Sequence, residues 1–123
     1  MAALDGYTES TFTPGDGDDA KERTVFRRGE GPAVVVIAEI PGITPQVADF
    51  GRRVADIGCT AVLPHLFGVP GKEMSLGYVA QSAAHACVSR EFTTWALRKT
   101  SPVTEWLRAL ARHEHQACGG PGV

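Results

Sequence analysis

Several classes of function are excluded by what the 123-residue chain lacks. Its longest wholly apolar run, residues 33–38, is far short of the roughly 20 residues a membrane-spanning helix needs. The N-terminus has neither a basic start nor an apolar core, so no export signal is read there. Cys59, Cys87 and Cys118 are odd in number and widely spaced, which speaks against a disulfide framework and for free thiols in a reducing, cytoplasmic setting. No Cys-x-x-Cys pair supports a thiol redox module. The arginines sit singly or in pairs without interleaved aromatics, so no nucleic-acid partner is expected. No phosphate-cradling Gly-x-x-x-x-Gly-Lys-Ser/Thr run is present, and His113 and His115, two apart on a helix, point to different faces. Neither a cofactor nor a metal is expected.

What is present is an ordinary globular composition, 43% hydrophobic and 21% charged, enough for one domain or part of one. Charge is unevenly spread. In residues 1–22, six acids face Lys21 alone, leaving −5 there and +3 in the remainder. That segment is poor in apolar residues and contains the turn-rich run Pro-Gly-Asp-Gly-Asp-Asp at 14–19, so it reads as a mobile acidic arm preceding a domain over 23–123. The aspartates lack the alternation and terminal Glu of an EF-hand loop, which leaves a solvated loop as the reading.

Within 23–123 the pattern is α/β. Residues 23–28 suit a short strand. Residues 34–37 are β-branched and apolar on both faces, as in a central parallel strand covered by helices. A crossover helix follows: Thr44 caps it, Pro45 suits its first turn, and Val47, Phe50, Val54 and Ile57 recur along one face, with Arg52, Arg53 and Asp56 turned away. Gly58 offers a left-handed exit, and residues 60–63 form a second buried strand ended by Pro64. Strand, helix and strand make a βαβ unit. The loop 64–72 is irregular, a helix is expected over about 82–97, and another begins at Pro102 behind the cap Ser101, with Val103, Leu107 and Leu110 inward. The ending Cys-Gly-Gly-Pro-Gly-Val resembles a loop leading into a further strand.

Glu39 is the unusual residue. It follows directly on the apolar strand at the carboxyl end, where α/β sheets place their sites. A carboxylate between apolar walls resists ionisation unless a partner stabilises it, which suits acid–base work. Ile40 precedes Pro41 and is pushed toward extended geometry, so its N–H can serve as a fixed donor, while Gly42 permits a tight turn. A strand-end carboxylate that accepts backbone hydrogen bonds or faces water is the plainer alternative.

The string VVVIAEIPGI, the capped helix after it and then GCTAVLPHLFG resemble the first half of the dienelactone hydrolase family. The resemblance spans residues 23–123, but its specific pieces are 34–43 and 58–68. It implies the N-terminal part of an α/β-hydrolase fold and a hydrolase acting on small lactones or carboxylic esters through a nucleophile, acid and histidine. In that scheme Glu39 pairs with the nucleophile, the Ile40 N–H helps bind the oxyanion, and Arg90 is a weaker candidate for holding a substrate carboxylate. Pro41 stands where the family commonly has an aromatic.

The nucleophile elbow, Gly-x-Ser/Cys-x-Gly, is missing. Cys59 follows Gly58, but Ala61 occupies the place of the second glycine, and Cys118 has Gln116 two residues before it. His65 and His85 come too early in the chain order to be the base. The expectation is therefore an N-terminal fragment, lacking nucleophile, acid and histidine and inactive alone. The alternative is a noncatalytic α/β interaction domain that self-associates through an exposed sheet edge.

Overall fold

In a computed structural model describing residues 2–15, 21–38, 42–66, 70–72, 75–87 and 102–119, four strands form one mixed sheet. These are β1 (Thr8–Phe12), β2 (Arg23–Gly29), β3 (Ala33–Val35) and β4 (Thr60–Pro64), in the order β1-β2-β4-β3. The described helices are α1 (Pro45–Asp56), α2 (Leu76–Cys87) and α3 (Pro102–Cys118). The chain is thus a mixed α/β protein.

The βαβ unit is present. β3 pairs parallel to β4 with Val34 opposite Ala61, and the Val36 N–H extends the ladder to the Val62 carbonyl at 2.8 Å. The rest of the sheet corrects the expectation of parallel strands, because β1 and β2, and β2 and β4, run antiparallel. Residues 30–32 are too few for a crossover, so β2 and β3 must run in opposite directions. Among the described residues β3 lies at the sheet edge rather than in the middle.

Alternation along the strands assigns two cores. Phe26, Ala61, Leu63 and Val36 face α1 through Val54, whereas Val25, Val62 and Ala33 face Trp106 and Leu110 of α3. The sheet is therefore sandwiched between α1 and α3, which is why every residue of β4 is buried.

The acidic-arm reading needs amendment within 1–22. A 3-10 turn at Ala2–Leu4 precedes β1, whose five residues pair with β2 from Thr8↔Arg27 to Phe12↔Arg23. Thr8, Thr11 and Phe12 are strand formers and β2 offered an edge; charge counting missed both. Likewise α2 begins at Leu76, not near 82, because Ser75 accepts the Tyr78 N–H at 3.2 Å and caps it.

Helix α1 starts as expected, with the Thr44 hydroxyl accepting the Val47 N–H at 3.4 Å, and Gly58 leaves it at φ 91°. Its inner face differs in part: Val54, and Val47 packed against the same core, face inward as expected, but Phe50 and Ile57 do not. Ala48, Gly51 and Val54 are buried, while Phe50 and Ile57 are 54% and 79% exposed. The helix lies so close to the sheet that small residues must face inward. A Cβ on Gly51 would sit 2.2 Å from the Tyr7 hydroxyl oxygen and 3.0 Å from Leu63 Cδ1. That hydroxyl is fixed by donating to the Ala48 carbonyl at 2.6 Å, and burial raises its pKa, which keeps it protonated.

Gly51→Ala should accordingly destabilise the chain by about 1 kcal/mol, since overpacking of about 1–3 kcal/mol outweighs a helix-propensity gain of about 1 kcal/mol. Adding Tyr7→Phe removes the obstructing oxygen, so urea unfolding of both singles and the double should show a favourable coupling. A Gly51→Ala chain more stable than wild type contradicts the close packing.

Candidate functional site

The parallel pair β3 and β4 ends on one rim, and the loops leaving that rim form the candidate site. After β3 the chain runs through Val36 and Ala38, 9% and 7% exposed, and the described chain resumes at Gly42. Gly42 adopts φ 127°, a conformation open to glycine, and its carbonyl accepts the Thr44 N–H at 3.0 Å. Ile43 and Thr44 are 1% and 3% exposed. The approach to residues 39–41 and the exit from them are both anchored in the core. Glu39, Ile40 and Arg90 themselves lie outside the described residues, as does Pro41.

The second loop leaves β4 at Pro64, where the His65 N–H donates to the Thr24 carbonyl at 2.9 Å. It returns to the first loop: the Gly71 N–H donates to the Ile43 carbonyl at 2.5 Å. Lys72 then sets its ammonium 4.5 Å from the centroid of the Tyr78 ring, and Tyr78 is 5% exposed in the first turn of α2. The β3–α1 loop is thereby tied through Gly71 and Lys72 to the start of α2. Glycines in an irregular loop such as 64–72 serve first to form turns. Gly71 has that role too, at φ 82°, but its amide also braces the neighbouring loop, a long-range contact that local pattern does not encode.

Other expected candidates are dispersed. Cys59 is half-buried just before β4, and Cys118 is half-buried at the end of α3, packed against the opposite core. His113 stacks beside Phe12 with centroids 5.0 Å apart. Among the described residues, no group of three or more His, Cys, Asp or Glu gathers to hold a metal, and no helix is long and apolar enough to cross a membrane.

No family model and no curated protein matches the chain. Some solved structures do. One titled m3DLH is 20% identical over 94% of this chain, with a TM-score of 0.49. An epoxide hydrolase from an endophytic Streptomyces is 15% identical over 77%, with a TM-score of 0.38, and a mutant of VrEH2 is 16% identical over 70%, with a TM-score of 0.36. The chain spans only 44%, 28% and 29% of those three structures' own lengths. Likenesses this distant assign no chemistry to any residue.

Proposed function

We propose that these residues supply the oxyanion-side portion of a dienelactone hydrolase-like active site, acting on small lactones or carboxylic esters. One observation carries this reading: the loop bracketed by Ala38 and Gly42 joins β3 to α1 at the carboxyl rim of a parallel pair. In α/β-hydrolases, the loop between the third strand and its helix donates one N–H to the oxyanion hole. The residues fit that role by type. Ile40 contributes the N–H, Glu39 pairs with the nucleophile in the resting enzyme, and Arg90 holds a substrate carboxylate.

Chemically, a cysteine or serine nucleophile attacks the ester carbonyl, and the oxygen that gains charge accepts the Ile40 N–H. Such a donor accelerates reaction only if it is held in place before charge develops; losing one costs on the order of 10²–10³ in rate. The Gly71 brace and the buried Ile43 and Thr44 favour such fixing. The nucleophile elbow, acid and histidine are not among these 123 residues. Alone, the chain should bind and orient but not turn over.

The reading frame beyond Val123 tests this. An open frame continuing into Gly-x-Cys/Ser-x-Gly is expected, and in its full-length product Glu39→Gln should lower kcat/KM for an aryl ester by about 10²-fold or more. The 123-residue chain should hydrolyse p-nitrophenyl acetate no faster than its own Glu39→Gln variant. A stop codon directly after Val123, or Glu39-dependent turnover by the short chain, overturns the proposal.

A further inference from the structure

The peptide that braces the first loop is built around a glycine and needs holding from both sides. Gly71 sits at φ 82°, a conformation that glycine adopts freely and leaves as freely. On one side Pro70 has its φ fixed by its ring. On the other, Lys72 is held through its side chain: the ammonium lies 4.5 Å from the centroid of the Tyr78 ring. That ring is a firm anchor, since Tyr78 is 5% exposed and its N–H is bonded to the Ser75 hydroxyl that caps α2. Among the described residues no carboxylate lies within ion-pair distance of Lys72, so there the ring is the partner of its charge.

We propose that Lys72 is a positioning residue for the oxyanion-side loop, acting through the Gly71 peptide. The inference rests on the hydrolase reading and adds to it the side chain that keeps the loop's exit still. Few contacts separate the two. Lys72 held on Tyr78 limits the swing of Gly71, whose N–H donates to the Ile43 carbonyl at 2.5 Å. The next residue, Thr44, donates its own N–H to the Gly42 carbonyl at 3.0 Å and caps α1 with its hydroxyl. Gly42 and Ile43 are thereby held between α2 and the start of α1, just beyond the residue assigned as donor, Ile40. A donor fixed before charge develops is what oxyanion stabilisation requires. Lys72 itself touches no reacting atom in this scheme. A cation over a ring at an exposed site shifts an equilibrium by about two- to fivefold, so Lys72 tunes the loop rather than creating it.

Backbone amide hydrogen exchange, followed by NMR on the 123-residue chain, tests this. Lys72→Met keeps most of the apolar stem and removes the charge, and because the side chain is exposed, circular dichroism should not change. Exchange at Gly71 and at Thr44 should quicken by about two- to fivefold. The His65 amide, bonded to Thr24 at the end of β4, should keep its rate. Lys72→Arg returns a cation to the ring and should restore both rates. In the full-length product Lys72→Met should lower kcat for an aryl ester by a similar factor with KM unchanged, the pattern of an interaction made in the transition state. Unchanged exchange at Gly71, quickening that stops at Gly71 without reaching Thr44, no recovery with Lys72→Arg, or a rise in KM at constant kcat each overturns the proposal. Failure of the hydrolase reading is read separately, as a stop codon directly after Val123 or Glu39-dependent turnover by the short chain.

Discussion

Trp106→Ala should lower the stability of the chain by about 3–5 kcal/mol, the range for removing a fully buried aromatic. Trp106 is 1% exposed and sits where three elements meet. Its ring packs edge-on to Phe12 of β1 at 5.7 Å between centroids and lies under the Arg23 guanidinium of β2 at 5.4 Å. Its Nε1–H donates to the Lys21 carbonyl at 2.8 Å, pinning the entry to β2. In the same core Val25, Val62, Ala33 and Leu110 surround it. Because the whole chain is held by only about 5–15 kcal/mol, the substitution should move the urea midpoint down by about 2 M at unchanged m. Trp106→Phe retains most of the apolar volume and gives up the bond to an exposed carbonyl, so it should cost less than half as much. If Trp106→Ala shifts the midpoint by less than about 0.5 M, α3 is not docked on this face of the sheet.

The same tryptophan shows where sequence reading stopped. The β3–α1–β4 unit was legible because its signals are local: a β-branched run, the Thr44 cap, Pro45 and the glycine exit at Gly58. The rotation of α1 was not, since the stripe through Phe50 and Ile57 is the more apolar one, and only the close approach to Tyr7 and Leu63 selects Ala48 and Gly51 instead. In α3 the inward residues expected were Val103, Leu107 and Leu110; Leu110 is fully buried against the sheet and Leu107 packs beside it, but Trp106 and Glu114 share that inner face and were not expected there. A glutamate at an inward helical position reads as an error in the pattern until its partner is known. Glu39, Ile40 and Arg90 are expectations from the strand-end pattern and the resemblance; they lie outside the described residues, and the structure adds only the fixed ends of one loop and the Gly71 brace.

Glu114→Ala should be the second costly change, at about 3 kcal/mol. The Glu114 side chain is 3% exposed, and one of its oxygens accepts from Nε of Arg27 at 2.8 Å and from a second nitrogen of the same guanidinium. Arg27 also donates to the Ser10 hydroxyl, so the pair links α3 to both β2 and β1. Attraction alone does not set the effect. Both charges have been withdrawn from water, and deleting one leaves the other with a desolvation penalty and no partner. Arg27 keeps a quarter of its side chain in contact with solvent, which places the cost at the lower end of the usual 3–5 kcal/mol range. Glu114→Gln retains the shape and an acceptor oxygen and should cost distinctly less. Replacing the pair together, Arg27→Met with Glu114→Leu, removes both stranded charges and should recover most of the loss, because a packed apolar pair of similar volume is often as stable as a buried ion pair. Thermal or urea unfolding of the three variants beside the unsubstituted chain separates the possibilities. If the double replacement is as unstable as Glu114→Ala, the pair contributes through its geometry across β1, β2 and α3 rather than through mutual neutralisation.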